Sequence, residues 1–448
     1  MKLLTTVALA FIAFRISEHY WLISLLGGYV ISAFVPIALL LFALTLLQLL
    51  GRRSHPRFRT LAFVWTTLIL YVTMATLSLI VHEPTLSGFT TRIGYVCGPV
   101  LIFASVLCLP GFETDKRIRG CVKVLTVAGF GFALYAMFSF TMFDGSAVPP
   151  MLETNYGERY YFTTYEAGFR DASTIRWTVP GLNTSHFAPM LLPLAFLGML
   201  LARQARGFTR VAYLVAAAVF TLTIAEALSR GAMIPLIVGV FYLGYVKWYP
   251  RFGRFAAGAA LVLLLMTQPL MYARIVMTIG SAFPFQDKVA AWAGDSKLLA
   301  PFMDAPYLKE EHFLTNAHTI QMMLGKPLLG YGWTNFTEEQ AGDLSDLSGK
   351  DHNNYLSIGA AFGLPALVFY VSFIIGLGVA LRKIIRRSIP GSDVWQSAHI
   401  WAAALIGYAL YLIGAPAEFH FVWVWFGLIA AWSRNQLMRP AHPYRTAP

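Results

Sequence analysis

The sequence predicts an all-α polytopic membrane protein with about 12 transmembrane helices. Three observations support this fold class. The 448-residue chain is 57% hydrophobic and only 12% charged. Apolar segments recur along its whole length, and many are close to the ~20 residues that a helix needs to cross a bilayer. Lys and Arg are concentrated in alternate connections, as expected of cytoplasmic loops.

Twelve apolar segments are predicted to span the membrane. The first is short and follows Lys2, but no small-residue cleavage site accompanies it, so a removed signal peptide is not expected. The predicted spans are residues 3–14, 22–50, 60–81, 93–110, 121–143, 184–202, 211–227, 232–248, 255–272, 354–381, 396–415 and 417–433.

Basic residues predict the orientation. If Lys2 is inside and the connections alternate, the inside segments hold 22 of the 34 basic residues and 3 of the 22 acidic ones. The net charge is then +19 inside and −7 outside, so both termini are predicted to be cytoplasmic. This asymmetry and contact with membrane lipids explain the basic character. No nucleic acid is expected as a partner, because no segment interleaves basic and aromatic residues.

Two long outside loops organise the chain. The first nine spans occupy residues 1–272 and include the outside loop 144–183. A second outside loop, 273–352, is predicted to form a subdomain, the last three spans occupy 353–433, and 434–448 is a cytoplasmic tail. Loops of this length usually fold and carry function.

Helical spacing of apolar residues from Phe313 to Leu324 predicts an amphipathic helix within the second loop. Pro327 ends this helix. Gly330 and Gly332 are predicted in a turn rather than in a dinucleotide-binding loop, because no strand precedes them.

Ser229-Arg230-Gly231 interrupts an apolar stretch from 211 to 248. A continuous helix of that length would be ~57 Å long, nearly twice a bilayer core. We therefore predict a hairpin in which Gly231 supplies unusual backbone angles. A charge at mid-membrane costs ~2.5–3.5 kcal/mol, which favours a functional role for Arg230 over an ion pair with Glu226.

Four arginines are predicted near the outer membrane edge: Arg170, Arg176, Arg230 and Arg274. A guanidinium group binds phosphate oxygens two at a time. These arginines are therefore predicted to bind a lipid pyrophosphate whose polyprenyl tail lies between helices. Ion pairing, such as that of Arg170 with Asp171, is the structural alternative.

The string His352-Asn353-Asn354-Tyr355 lies where the second loop re-enters the membrane. A neutral imidazole can act as a general base, and neighbouring arginines would disfavour its protonation. His352 is therefore the catalytic candidate, and Asn353 and Tyr355 are candidates for sugar binding or site support. Alternatively, Asp351 and Asn353 cap the helix that begins at Asn354.

Other polar residues near the outer edge have two interpretations. Asn183 and His186 either bind sugar or cap the span that they precede. His312 is a further candidate for site support. It lies six residues from His318, which is poor spacing for shared metal ligands, and the three cysteines lie in or beside apolar segments. We therefore expect no metal and no other cofactor.

The motifs follow in the order Arg176 and Asn183, then Ser229-Arg230-Gly231-Ala232, then Pro327-Leu-Leu-Gly330-Tyr-Gly332-x-x-Asn335-Phe336, then His352-Asn353 with Gly363 after nine further residues. This order resembles the O-antigen ligase and polymerase superfamily of the bacterial envelope, the Wzy-C group. Within it, the chain is most similar to the O-antigen ligases. The resemblance covers most of residues 170–380 and the twelve-span plan.

The resemblance implies a GT-C-like, metal-independent glycosyltransferase of the bacterial inner membrane, with its helical subdomain and active site in the periplasm. Its substrates would be undecaprenyl-pyrophosphate-linked O-antigen and lipid A–core. The family's essential histidine corresponds to His352, and its Ser-Arg-Gly arginine to Arg230. Ala366 replaces a second family glycine and His312 replaces a family arginine, so the second pyrophosphate-binding arginine stays open, with Arg274 as the candidate.

Such an enzyme would invert the anomeric centre of the donor, with His352 as base and Arg230 and Arg176 stabilising the departing pyrophosphate. An O-antigen polymerase and a protein O-oligosaccharyltransferase are alternatives within the superfamily. A lipid or glycan transporter is the alternative from another class. Transporters place ionisable groups near mid-span and often have inverted repeats, whereas here the polar residues gather at the outer edge.

Overall fold

The computed structural model describes residues 9, 13, 22–25, 29–32, 43, 58–83, 85–109, 112–142, 184–227, 229–246, 311–333, 353–414 and 420–439. The α-helices of this part of the chain are Ala62–His82 (α1), Leu86–Cys108 (α2), Asp115–Met142 (α3), Thr184–Gln204 (α4), Gly207–Glu226 (α5), Arg230–Tyr245 (α6), Glu311–Gly325 (α7), Asn354–Phe362 (α8), Leu364–Arg387 (α9), Asp393–Tyr411 (α10) and His420–Met438 (α11). Two short 3₁₀ helices cover Phe58–Leu61 and Leu412–Gly414, and a hairpin is formed by Leu22–Leu25 (β1) and Tyr29–Ser32 (β2).

Several of these helices suit a bilayer. Six described segments are long and apolar enough to cross a membrane, with mean hydropathies from 1.4 to 2.3: Ala62–His82, Asp115–Met137, Phe187–Gln204, Gly207–Glu226, Leu364–Arg387 and Asp393–Gly414. The prediction of a helical polytopic membrane protein is thereby confirmed. Of the predicted spans, almost all of 3–14, most of 22–50 and all of 255–272 lie outside the described residues.

The start of the predicted span 22–50 is not helical. β1 and β2 pair in antiparallel fashion, with Leu22 opposite Ser32. Val30 and Ile31 are β-branched, and such residues favour extended backbone. The span prediction was wrong at this point because a short apolar run does not distinguish a strand from a helix.

Helix α4 lies at the centre of the described bundle. Its apolar window is 83% buried, against 39% for that of α1 and 33% for that of α5. The most extensive contacts join α4 to α5, α1 to α9, α6 to α10 and α2 to α11. Ile80, Leu222 and Ile375 on the outer helices are all exposed. Apolar surface of this extent is expected where lipid surrounds a protein.

A buried arginine holds one end of the bundle together. Arg434 is 3% exposed and donates to the carbonyl oxygens of Leu107, at the end of α2, at 2.9 Å and of Phe112, in the α2–α3 connection, at 3.2 Å. Asn435 also donates to the Phe112 carbonyl oxygen, at 2.7 Å. Helix α11 therefore continues to Met438, beyond the predicted start of the tail at 434, because its last turn packs against this connection.

The predicted span 354–381 is divided into two helices, which corrects the prediction of one. Helix α8 ends at Phe362 and α9 begins at Leu364, and Gly363 between them has a φ of +90°. Residues with a side chain rarely adopt a positive φ of this size, so the turn at this position requires glycine. With nine residues, α8 is too short to cross a bilayer, so α9 is the spanning helix.

Candidate functional site

The turn after α7 is bonded directly to α8. The predicted amphipathic helix is confirmed as α7, and the predicted glycine turn follows it. Gly330 and Gly332 have φ values of +65° and +75°. The amides of Tyr331 and Gly332 each donate at 2.9 Å, to the carbonyl oxygens of Ala360 and Ala361 respectively. The turn therefore fixes the last residues of α8.

Helix α1 contacts the same turn. The fully buried Ser78 directs its hydroxyl to the carbonyl oxygens of Leu329 and Ala361, which share its one proton. A Cβ built on Gly332 would lie 2.4 Å from the Cβ of His82, so no side chain fits at that position. Ser78 and His82 thus join the turn, α8 and the end of α1 into one unit.

Gly363 completes this unit. A Cβ built on Gly363 would lie 2.2 Å from the carbonyl oxygen of Leu328. Beside it, the amide of Leu364 donates to the carbonyl oxygen of Pro327 at 2.7 Å. The position therefore requires both a positive φ and the absence of a side chain, and the turn and the α8–α9 break can only form together.

The first turn of α8 follows directly on the proposed base. Asn353 is its N-cap, and its Oδ1 accepts from the amides of Tyr355 at 3.1 Å and Leu356 at 3.2 Å, which confirms the capping interpretation. Asn354 is 1% exposed and donates from Nδ2 to the hydroxyl of Tyr370 at 2.9 Å. Within the described part of the chain, Oδ1 of Asn354 has no hydrogen-bond partner.

Tyr355 attaches α8 to the end of α10. Its hydroxyl donates to the carbonyl oxygen of Ala409 at 2.8 Å. Its ring centroid lies 6.0 Å from that of Tyr370 on α9. Tyr355 therefore attaches the first turn of α8 to α9 and α10, and both of its predicted roles in the site stay predictions.

The start of α6 approaches the same end of α10. Helix α5 ends at Glu226 and α6 begins at Arg230, so the predicted reversal is present and these two residues do not share a helix. The prediction for Gly231 was wrong, because this residue is helical and is not among the described glycines with positive φ. Instead, a Cβ built there would lie 3.3 Å from Cδ2 of Tyr411. Gly231 therefore allows close packing of α6 on α10.

Two helix N-termini converge at the end of α10. Both α6 and α8 contact the 3₁₀ helix Leu412–Gly414, which directly follows α10. Ser229, the N-cap of α6, is 2% exposed, and its side chain makes no capping hydrogen bond. A helix N-terminus carries about half a positive charge, which stabilises anions nearby. The arrangement therefore brings the backbone of Arg230 and the residue after His352 to one region that suits an anionic group.

The structure describes most predicted site residues only by their backbone or not at all. Arg230 opens α6, His186 lies in the first turn of α4 and His312 in that of α7, but only their backbones are described. The remaining candidates lie outside the described residues, and they are Arg170, Arg176, Asn183, Arg274 and His352. Their predicted roles stay predictions.

Sequence analysis did not single out Ser78, Asn354 or Tyr370. Ser78 and Tyr370 lie inside predicted spans, where each is a polar group among apolar neighbours. A buried polar group needs a hydrogen-bond partner, so this isolation was an available signal. Asn354 was noted only as the first residue of a helix, although its polarity in a buried first turn carries the same signal.

Comparison with protein families gives a match. The family model described as O-antigen ligase (Wzy_C) matches residues 212–371, a range that includes α6 to α8, the glycine turn, Arg230 and His352. No curated protein matches the chain. The matched range contains the N-termini of α6 and α8 and the glycine turn. The resemblance found in the motifs is thus confirmed for residues 212–371, which are similar to the O-antigen ligase family.

Proposed function

We propose that this protein is an O-antigen ligase, which transfers a polysaccharide from undecaprenyl pyrophosphate to a hydroxyl group of lipid A–core. One observation carries the proposal beyond the family. The first residue of α6 is Arg230, the residue before the α8 cap is His352, and both helices begin against the end of α10. This arrangement of the helix starts supports a site in which Arg230 supplies a cation and His352 supplies a base.

The proposed reaction is a direct displacement. His352 accepts the proton of the acceptor hydroxyl as its oxygen attacks the anomeric carbon of the donor sugar. The bond from that carbon to the pyrophosphate oxygen breaks, the configuration inverts, and undecaprenyl pyrophosphate leaves. Arg230, together with Arg176 and with Arg274 or Arg170, stabilises the negative charge on the leaving group.

The two helix N-termini support this assignment of charge. Both helices contact the 3₁₀ helix Leu412–Gly414, and their positive dipole ends would favour a pyrophosphate bound near it. Asn183, His186 and His312 are proposed to bind sugar or support the site from the two long outside loops. Asn353 acts through its hydrogen bonds to amides of α8, and Tyr355 acts through its hydrogen bond to the carbonyl oxygen of Ala409 in α10.

The proposed setting is the bacterial inner membrane, with about 12 spans in a GT-C-like arrangement and the active site in the periplasm. The helical pairing supports one part of this topology. Arg203 of α4, Arg387 of α9 and Arg439 after α11 lie at helix ends on one side of the bundle, and α6 and α8 begin on the opposite side. Segments 273–352 and 434–448 are proposed as the periplasmic subdomain and the cytoplasmic tail.

A reconstituted assay tests the function. Purified protein is incorporated into liposomes with lipid-linked O-antigen and lipid A–core, and the ligated product is measured. Replacing His352 by Ala is expected to lower the rate by about 10²–10⁴-fold. The change Arg230→Ala is expected to lower it by about 10²–10³-fold. His442→Ala and Arg386→Ala, which change the same residue types at positions proposed to be cytoplasmic, are expected to keep the rate within about twofold.

The acceptor distinguishes the related activities. Product formed only when lipid A–core is present supports a ligase. Product formed on a second lipid-linked glycan, or on a peptide, would replace the ligase by a polymerase or by a protein glycosyltransferase. Unchanged ligation by the His352→Ala protein would remove the proposed mechanism.

A further inference from the structure

A cavity lies at the end of the bundle opposite to the proposed active site. It has a volume of about 340 Å³ and opens between the first turns of α3 and α10 and the last turn of α11. We call it the basic cavity, because its lining includes Lys116, Arg119 and Arg439. The positive-inside distribution of charge predicts that this end is cytoplasmic.

The charges of the basic cavity are only partly compensated. Arg439 pairs with Asp115 at 2.7 Å, and Asp393 is the second acidic residue of the lining. Lys116 and Arg119 are exposed, and neither makes a hydrogen bond or ion pair with another described residue. Three cations against two carboxylates leave one positive charge, which matches a single phosphodiester.

Helix dipoles add to this charge. Helix α3 begins at Asp115 and α10 at Asp393, so both direct their N-terminal ends to the basic cavity. The amides of a first helical turn donate to anions, and the dipole favours negative charge there. Phosphate is therefore better suited to the basic cavity than a cationic or neutral group.

A smaller apolar cavity adjoins the basic one. Its volume is about 40 Å³, and it shares Asp115, Arg119, Ser397 and Trp432 with the basic cavity. Otherwise it is lined mainly by buried apolar residues such as Val122 and Leu197. A ligand that fits both cavities has a phosphate group and an apolar part. A phospholipid has both, whereas inorganic phosphate has no apolar part.

An unsatisfied amide favours a ligand with polar atoms below the phosphate. Gln204 lines the smaller cavity, and both polar atoms of its side chain are buried without a hydrogen-bond partner among the described residues. Buried amides left unpaired cost free energy, so a partner for Gln204 is expected. The glycerol esters of a phospholipid supply acceptors at that depth, between headgroup and acyl chains.

From these features we propose that the basic cavity binds the headgroup phosphate of a membrane phospholipid, separately from the glycan-transfer site. Lys116 and Arg119 contact the phosphate, and the adjoining apolar cavity takes the upper part of the lipid. Basic pockets between transmembrane helices on the cytoplasmic side commonly bind lipid headgroups. The lipid would join α3, α10 and α11, which meet here.

Native mass spectrometry of the delipidated full-length protein tests the proposal, with phosphatidylglycerol as the probe. The double variant Lys116→Gln/Arg119→Gln is expected to bind one phosphatidylglycerol about tenfold more weakly or worse, because two charged contacts to the phosphate are lost. The matched control is Lys383→Gln/Arg386→Gln, which removes the same charge from exposed positions at the same end of the bundle. It is expected to bind within about twofold of the unaltered protein.

Competition identifies the source of the phosphate. When the phosphatidylglycerol probe carries an isotope label, unlabelled phosphatidylglycerol is expected to displace it. Diacylglycerol, which lacks phosphate, is expected not to displace it. Equal displacement by diacylglycerol, or equal weakening in the matched control, would overturn the site. Displacement by inorganic phosphate at the same concentration as the lipid would overturn the lipid assignment. All four side chains substituted in the two double variants are exposed, so both proteins should fold. A third variant, Ser397→Leu, narrows the basic cavity without changing its charge and is expected to weaken phosphatidylglycerol binding as well.

Discussion

The side-chain amide of Asn354 donates to the hydroxyl of Tyr370 at 2.9 Å, inside the bundle. Asn354 is 1% exposed and Tyr370 is 2% exposed. Through this bond, the residue two positions after His352 is attached to the spanning helix α9. Tyr370 in turn packs on Tyr71 of α1, with ring centroids 5.3 Å apart. The position of the first turn of α8 is therefore determined from within the bundle.

A double-mutant cycle measures this bond. Replacing Asn354 by Ala leaves the Tyr370 hydroxyl without its donor, and Tyr370→Phe leaves the amide of Asn354 unpaired, so each change alone is expected to cost about 1–3 kcal/mol of stability. The double variant is expected to cost less than the sum, with a coupling of about 0.5–1.5 kcal/mol. Additive effects on thermal unfolding would show that the two side chains act independently.

The same variants report on the site. The Asn354–Tyr370 hydrogen bond is expected to position α8 rather than to contact the substrate. Removing this bond by Tyr370→Phe is therefore expected to lower kcat of glycan transfer and to leave KM for the donor nearly unchanged. Tyr135→Phe is the matched control, because this tyrosine is exposed on α3. A Tyr370→Phe enzyme with normal kcat would separate the hydrogen bond from catalysis.

Gly363 is expected to be the least replaceable residue of the glycine unit. Its φ of +90° and ψ of +164° lie in a region that is essentially restricted to glycine, and its Cβ would lie 2.2 Å from the Leu328 carbonyl oxygen. The change Gly363→Ala is therefore expected to cost more than about 3 kcal/mol and to abolish glycan transfer.

Gly391 provides the control for this change. Its φ is +83°, but a Cβ built there meets nothing within 4 Å. The Gly391→Ala protein is expected to lose only about 1–2 kcal/mol, from backbone strain alone, and to keep its activity. Thermal unfolding in detergent compares the two proteins. Equal losses would show that the contact with Leu328 is unimportant.

Ser78 is expected to stabilise the junction of α1, the turn and α8. Ser78→Ala leaves the partly buried carbonyl oxygen of Leu329 without this donor, which is expected to cost about 1–2 kcal/mol. Thr73→Ala on the same helix removes an exposed hydroxyl that bonds only to Ile69 within its own helix, and is expected to change stability by less than about 0.5 kcal/mol. Unfolding temperatures of the two proteins, measured side by side, decide the comparison.

Apolar periodicity predicted the helices of the described bundle but not the breaks between them. The run through Gly363 is apolar on both sides, so length and hydropathy predicted one span. The break depends on hydrogen bonds from the distant residues Pro327 to Gly332, and a local pattern does not contain them. The same limit applies to Gly231. The sequence indicated a structural role for this glycine, but the role comes from close packing against the ring of Tyr411, which is distant in the sequence.

The candidate site was predictable in its chemistry and not in its geometry. The motifs around Arg230 and His352 indicated candidate groups, because charge and imidazole at a membrane edge are unusual. The approach of the first turns of α6 and α8 to the end of α10 depends on two contacts, those of Tyr355 with Ala409 and of Gly231 with Tyr411. Contacts between separate helices follow from packing, which the order of residues in one segment does not specify.

Two arginines at the end of α11 should differ sharply in their contribution to stability. Arg434 is 3% exposed and satisfies the carbonyl oxygens of Leu107 and Phe112, whereas the Arg439 side chain is 55% exposed and pairs with Asp115. Arg434→Ala removes a charged donor from two buried acceptors and is expected to cost about 3–5 kcal/mol. Arg439→Ala breaks an exposed ion pair and is expected to cost less than about 1 kcal/mol.

Salt adds an independent check on this difference. Salt screens the exposed ion pair of Arg439, whereas the buried hydrogen bonds of Arg434 to neutral carbonyl groups are screened much less. Raising NaCl from ~0.05 to ~0.5 M should therefore reduce the effect of Arg439→Ala and leave that of Arg434→Ala nearly unchanged. Thermal unfolding of both variants and the unaltered protein at the two salt concentrations provides the measurement. If Arg434→Ala were as mild as Arg439→Ala, the α2–α3 connection would be held by other contacts, and the extension of α11 to Met438 would not depend on Arg434.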